Sequence, residues 1–266
     1  MLRYDDRVTT TKPDFIPLFL PSSEALTGGS GALKTATRQA LAALAASQVR
    51  TVVMVDSTWR SPTLDLGTRT EGASRLLVGA LKRELAERDF WPRSAAPAWE
   101  QSGRAYLGLL GAAAPEAVIA IGVPPHAPER TMAVGEAIAA ACAEEQASTA
   151  LVVTGALTRG GAPSDPAPLA FAQTLRQLLE QGAGSEILNA GGDLWIAGRP
   201  DAELAHLFVL LGAAPAHLAT FLAEERSSDA SYAVISFAPA PTPPPAPERP
   251  APTVFPLTLK GASPRA

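Results

Sequence analysis

The chain has 266 residues, 47% hydrophobic and 18% charged, with a formal charge of −4 and a pI near 5.5. That length allows a sizeable buried core, as one domain or two small ones, and the charge excludes the basic footprint of a nucleic-acid binder. No run of about 18 apolar residues is present, so no spanning helix is expected, and the opening MLRYDDRVTTTKPDF does not read as a secretory signal.

Residues 1–14 are polar and read as loose. Phe15–Leu20, FIPLFL, reads as a strand closed by Pro21. TGGSG at 27–31 reads as a flexible lead into a helix over Leu33–Ala46. Thr51–Val55, TVVMV, is a continuous apolar run, the mark of a strand covered on both faces. Ala73–Arg88 has amphipathic helical spacing, and residues 89–103 read as irregular, with Pro92 and Pro97. Ala117–Val123 is a buried strand closed by Pro124-Pro125, followed by a helix over Arg130–Glu145 and a strand over Thr149–Val153. A helix over Leu169–Gln181 stops at Gly182, another covers Asp201–Leu211, and Ser231–Phe237 is the last strand.

This alternation predicts an α/β fold: a single domain over residues 15–238 with a central, mostly parallel or mixed sheet and helices on both faces. Nine prolines fall between Pro239 and Pro256, so residues 239–266 read as a disordered Pro-rich tail. The single cysteine, Cys142, excludes an internal disulfide and fits a cytoplasmic setting; within AIAAACAEE it reads as a buried core thiol. Trp91, Trp99 and Trp195 read as core or interface aromatics, and His217, in APAHLATF, as a surface residue at a helix start.

Several chemistries lack their motifs. In Gly28–Thr35, GGSGALKT, a phosphate loop would need glycine directly before Lys34, and Leu33 stands there. No G-x-S-x-G elbow, C-x-x-C or H-x-x-x-H pattern occurs. Two residues stand at ends of apolar strands, where open α/β sheets place ligands: Asp56, closing TVVMVD, and His126, after Pro124-Pro125.

Five segments, in order, carry a resemblance: FIPLFLPSS, MVDSTWR, AVIAIGVPPH leading into ERTMAVGEAIAAA, VVTGALTRG, and RPDAELAHLFVLLGAA with its FVLLGAA end. Together they resemble the class III extradiol ring-cleavage dioxygenases, the family of the 4,5-DOPA dioxygenases and the catalytic subunit of protocatechuate 4,5-dioxygenase. The resemblance covers roughly residues 15–238. It implies a non-haem iron(II), or zinc in some relatives, held by two histidines and a third histidine or glutamate. Open positions on the metal take a catechol and dioxygen, and a further histidine moves protons.

Matched residue by residue, the chain departs from that pattern. The first-ligand histidine falls on Pro21 or Ser22, the second, from a segment like SAHW, on Thr58, with Trp59 matching the tryptophan. The proton-moving histidine of SGDLSH falls on Arg159 and its aspartate on Ala156; a mid-chain histidine falls near Ser102-Gly103. Glu203 alone retains a competent ligand, with His206 three residues on as a weaker candidate, read as solvated or half-buried. An arginine at Arg159 would also oppose a dication.

The resemblance therefore implies a degenerate member that keeps the fold and a cleft near Ser22, Asp56, Thr58, Ser102, His126 and Arg159 but has lost ring cleavage. No cofactor is assigned; iron(II) or zinc belongs here only if the family's site functions. The partners implied are a small aromatic ligand and a partner subunit or second copy. Two other readings stay open: an active metalloenzyme with ligands rewired among Asp56, His126, Glu203 and His206, and a non-catalytic α/β protein whose PTPPP-bearing tail recruits a partner.

Overall fold

The structure is a computed structural model that describes residues 15–47, 49–56, 64–68, 74–94, 102–110, 115, 117–124, 127–145, 148–159, 166–189, 204–227 and 230–241. In chain order its elements are β1 (Phe15–Pro21), α1 (Ser23–Gly28), α2 (Gly31–Ala46), β2 (Thr51–Val55), β3 (Asp65–Thr68), α3 (Ser74–Glu87), β4 (Arg93–Ser94), α4 (Ser102–Leu110) and β5 (Ala117–Gly122). There follow α5 (Pro128–Glu144), β6 (Thr149–Gly155), β7 (Thr158–Arg159), α6 (Pro166–Glu180), a 3-10 turn (Gly184–Asn189), α7 (Leu204–Ala213), β8 (His217–Arg226) and β9 (Ala230–Pro239).

One mixed sheet holds these strands in the order β4-β3-β5-β2-β6-β1-β9. The four apolar runs β5, β2, β6 and β1 are parallel and central, as expected of strands that need cover on both faces. The flanks turn antiparallel: β3 against β5 on one side, β9 against β1 on the other. Beyond β1 and β7, the other edge of β9 is taken by β8.

Side-chain alternation divides the strand residues between two cores. Val53, Val55, Ile119, Ile121, Leu151 and Val153 face α3, α5, α6 and α7, joining Leu81, Ile138, Phe171 and Phe208. Their neighbours Leu18, Leu20, Val52, Met54, Ala150 and Val152 face α2, with Leu33, Leu41 and Leu44, and α4, with Tyr106. Each Val, Leu, Ile, Phe or Met among them, fully buried, contributes roughly 1.5–3 kcal/mol, and a one-residue slip of any central strand would trade one core for the other.

Helices α5 and α7 approach backbone to backbone. A Cβ placed on Gly135 would lie 2.0 Å from the Val209 carbonyl oxygen, and one on Gly212 the same distance from that of Met132. Gly212 is the glycine of FVLLGAA, so that segment's small residue serves helix packing.

Several expectations change. TGGSG is not a loose lead: α1 ends at Gly28 and Ser30 caps α2, its Oγ accepting from the Leu33 N–H at 3.4 Å. The stretch 89–103 holds β4 and the first residues of α4, and Trp91 is 75% exposed rather than core. β3 escaped notice because DLGT has no apolar run. His217 opens a ten-residue strand, not a helix. A bulge between Phe221 and Ala223 breaks the two-residue period of HLATFLAEER, which hides that strand in the sequence. β9 runs through Pro239, one residue into the segment read as tail; the tail beyond residue 241, and Trp99 and Trp195, lie outside the described residues. Gly182 does stop α6, at φ 72°. Cys142 is buried, and no helix among the described residues is long and apolar enough to cross a membrane.

Candidate functional site

The parallel strands β1, β2, β5 and β6 all end on one side of the sheet, where open α/β folds bind ligands. There the register sets Leu20 beside Thr154, and Val55 beside both Val153 and Ile121. One residue on, Asp56 follows Val55 and lies beside Thr154, whose Oγ1 donates to Asp56 Oδ1 at 3.2 Å. The row continues to Gly122, with Asp65 of β3 opposite it. Leu20, Thr154 and Asp56 share the sheet face covered by α2 and α4.

Onto this face α4 brings Tyr106, whose hydroxyl donates to the Pro21 carbonyl at the end of β1. Burial holds the phenol well above its usual range, and the neighbouring Asp56 carboxylate raises it further. It is thus a neutral hydrogen-bond donor. Ser22, Asp56, Thr154 and Tyr106 are all buried, so the cluster is sealed rather than lining an open cleft. At its margin, Asp65 accepts from Arg93 Nε at 3.1 Å.

Of the residues singled out in the sequence, Ser22 and Asp56 stand at this end of the sheet, directly after β1 and β2, and are buried. Ser102 opens the helix that carries Tyr106. Arg159 ends β7, its backbone paired with Ala230 on β9. His206 is buried on α7, which covers the opposite face of the sheet; the expectation of a solvated or half-buried histidine fails because every residue of α7 except Ala205 is buried. Thr58, His126 and Glu203 lie outside the described residues. Thr154 and Tyr106 were missed. Their signals are faint: one hydroxyl inside the apolar run LVVTG, and one tyrosine in the small helix SGRAYLGLL.

The cluster offers one carboxylate, two aliphatic hydroxyls and a protonated phenol. An iron site of the facial type needs imidazole nitrogens beside a carboxylate, so these donors do not fit it. Nor is the start of α2 an open anion site: the Ser30 N–H is shared between Glu225 Oε1 and Oε2, at 3.0 and 2.8 Å. The protein's own carboxylate stands where GGSGALKT would have placed a phosphate.

No family model and no curated protein matches the chain. Among solved structures, 17 chains match. One is an uncharacterized protein, JW3007, from Escherichia coli K12, which superposes with a TM-score of 0.61 at 14% identity, covering 84% of this chain and 99% of that one. That likeness speaks for a shared fold.

Proposed function

We propose that this chain is a class III extradiol dioxygenase-like protein that has given up ring cleavage and keeps the α/β scaffold for a non-catalytic task, holding a small molecule or a partner chain. The observation that carries this reading is the sealed cluster at the sheet end. Four of the five family-like segments, FIPLFLPSS, MVDSTWR, AVIAIGVPPH and VVTGALTRG, contribute strands that end side by side there. At the position matched to the first ligand stands Ser22 or Pro21, and the Pro21 carbonyl is bonded by the Tyr106 phenol. Thr154 and Asp56 bond each other in the same way. The cluster is buried and its side chains carry oxygen alone, without the imidazole nitrogens that a facial iron site takes beside a carboxylate. A single buried thiol in Cys142 fits a cytoplasmic setting for such a protein.

The test is anaerobic loading of the purified full chain with iron(II), removal of free metal, elemental analysis, and exposure to catechols in air. The expected result is far less than one metal per chain and no ring-opened chromophore. Stoichiometric iron or zinc together with ring opening would overturn the proposal and favour ligands rewired around Asp56 with His126 or Glu203, since His206 lies across the sheet.

A further inference from the structure

The antiparallel flank of the sheet ends in β8, a strand of ten residues. It pairs with β9 from His217 to Arg226, and no strand among the described residues takes its other edge. HLATFLAEER holds neither proline nor glycine, so every residue carries an N–H that a ladder can use. α2 and α6 both pack on β8, which sets the shape of the strand in advance. A long edge invites another chain unless charge or a bulge guards it. Here the acidic pair is already engaged within the chain. Glu225 takes the Ser30 N–H on both carboxylate oxygens, and Glu224 pairs with Arg226 at 3.1 Å and with Arg176 at 3.6 Å. The bulge between Phe221 and Ala223 interrupts the ladder at one place. It leaves Leu222, near the middle of the strand, without a partner on β9 and 41% exposed.

We propose that this edge joins a second copy of the chain, β8 against β8 in antiparallel pairing, with the two-fold axis at Leu222. One sheet then runs through both copies, and the same strand supplies both sides of the contact. That register sets each Leu222 against the other and covers the exposed apolar group. It also sets Glu224 against Thr220, Glu225 against Ala219 and Arg226 against Leu218 of the second copy, so no like charges meet. Parallel pairing in register would stand Glu224 and Glu225 beside their own copies. The chain's own segment beyond residue 241 is a poorer occupant of a ladder, because its many prolines donate no N–H. The inference goes beyond the family reading above and does not rest on it.

The test is sedimentation velocity of the purified full chain from about 1 μM to about 1 mM, joined to cross-linking of two cysteine variants. The parent is expected to pass from monomer to dimer over that range. Leu222→Lys sets two ammonium groups together at the axis. It is expected to raise the dissociation constant about tenfold or more, with circular dichroism unchanged. Under mild oxidation Leu222→Cys is expected to give a disulfide-linked dimer. Thr220→Cys, also at an exposed position, is expected to give none, because two residues of offset on each copy part the pair by roughly 13 Å. Cys142 is buried, so the parent serves as the unlinked control. A parent that stays monomeric throughout overturns the proposal, as does a dimer that Leu222→Lys leaves equally tight. Cross-linking of Thr220→Cys as readily as Leu222→Cys overturns the register and the axis with it. If Leu222→Lys does not fold, the two cysteine variants decide alone.

Discussion

Replacing Gly135 with alanine sets two opposed effects against each other. In a helix interior alanine is favoured over glycine by about 1 kcal/mol. Against that, the new methyl would sit 2.0 Å from the Val209 carbonyl oxygen and 2.7 Å from the Ala213 nitrogen, both backbone atoms of α7. Backbone cannot rotate aside as a side chain can, so the two helices must part by roughly 1 Å or more to restore carbon contact distances. α7 also packs on β6 and β1, and moving it loosens Leu207, Phe208 and Leu211. Overpacking of this kind loses about 1–3 kcal/mol and sometimes more. The clash is with two main-chain atoms, so the upper end applies and exceeds the propensity gain. We expect Gly135→Ala to destabilise by about 2 kcal/mol net. Gly79 supplies the control. It lies in α3 with nothing within 4 Å of an added Cβ, so Gly79→Ala is expected to stabilise by up to about 1 kcal/mol. Urea titrations followed by circular dichroism, compared at unchanged slope, measure both. A Gly135→Ala midpoint at or above the parent's would refute the reasoning, and a lowered midpoint for Gly79→Ala would refute the contrast.

Other outcomes follow from the sealed cluster and the core thiol. Tyr106→Phe leaves the Pro21 carbonyl without its donor and is expected to lower stability by about 1–3 kcal/mol, read from the same titrations. Thr154→Val keeps the shape but removes the donor to Asp56 Oδ1, and a loss of about 1–2 kcal/mol is expected; no loss would mean that the bond carries little. For Tyr106, the folded state holds a proton that the unfolded chain releases near pH 10. Its stabilising share is therefore complete below pH 10 and declines above it, a slope that Tyr106→Phe should flatten. Cys142 behaves alike, with a window between pH 9.0 and about 11, so Cys142→Ala should reduce the fall in melting temperature across that interval.

The central sheet was legible because TVVMV, AVIAIGV and TALVV are short, nearly unbroken apolar runs rich in β-branched residues, a pattern that suits a strand covered on both faces. β8 was not legible, because a bulge displaces its alternation by one residue. Asp56 could be singled out as a strand-end carboxylate, yet its neighbours could not. Tyr106 bonds a carbonyl 85 residues earlier and Thr154 a carboxylate 98 residues earlier, and such pairings are set by sheet order rather than by local spacing. That Ser22 and Asp56 stand buried at one end of the sheet required the register of β1, β6 and β2. Glu225 could not be found from sequence at all: one acidic residue in a row of charges on β8 gives no hint that it accepts from the Ser30 N–H at the start of α2.

The place of β1 in the sheet bears on how the chain is made. Its partners are β6, where Phe15 meets Thr149, and β9, where Leu18 meets Ser236. The first described strand to leave the ribosome is thus an interior strand whose two edges are supplied by much later sequence. Through most of synthesis FIPLFLP stays apolar with both edges bare, a template for pairing with another chain and a natural client for a chaperone. A chain interrupted before Ala230 would complete all four parallel pairings of the described strands and still leave one side of β1 open. Such truncated products should collect as aggregates rather than as smaller folded proteins.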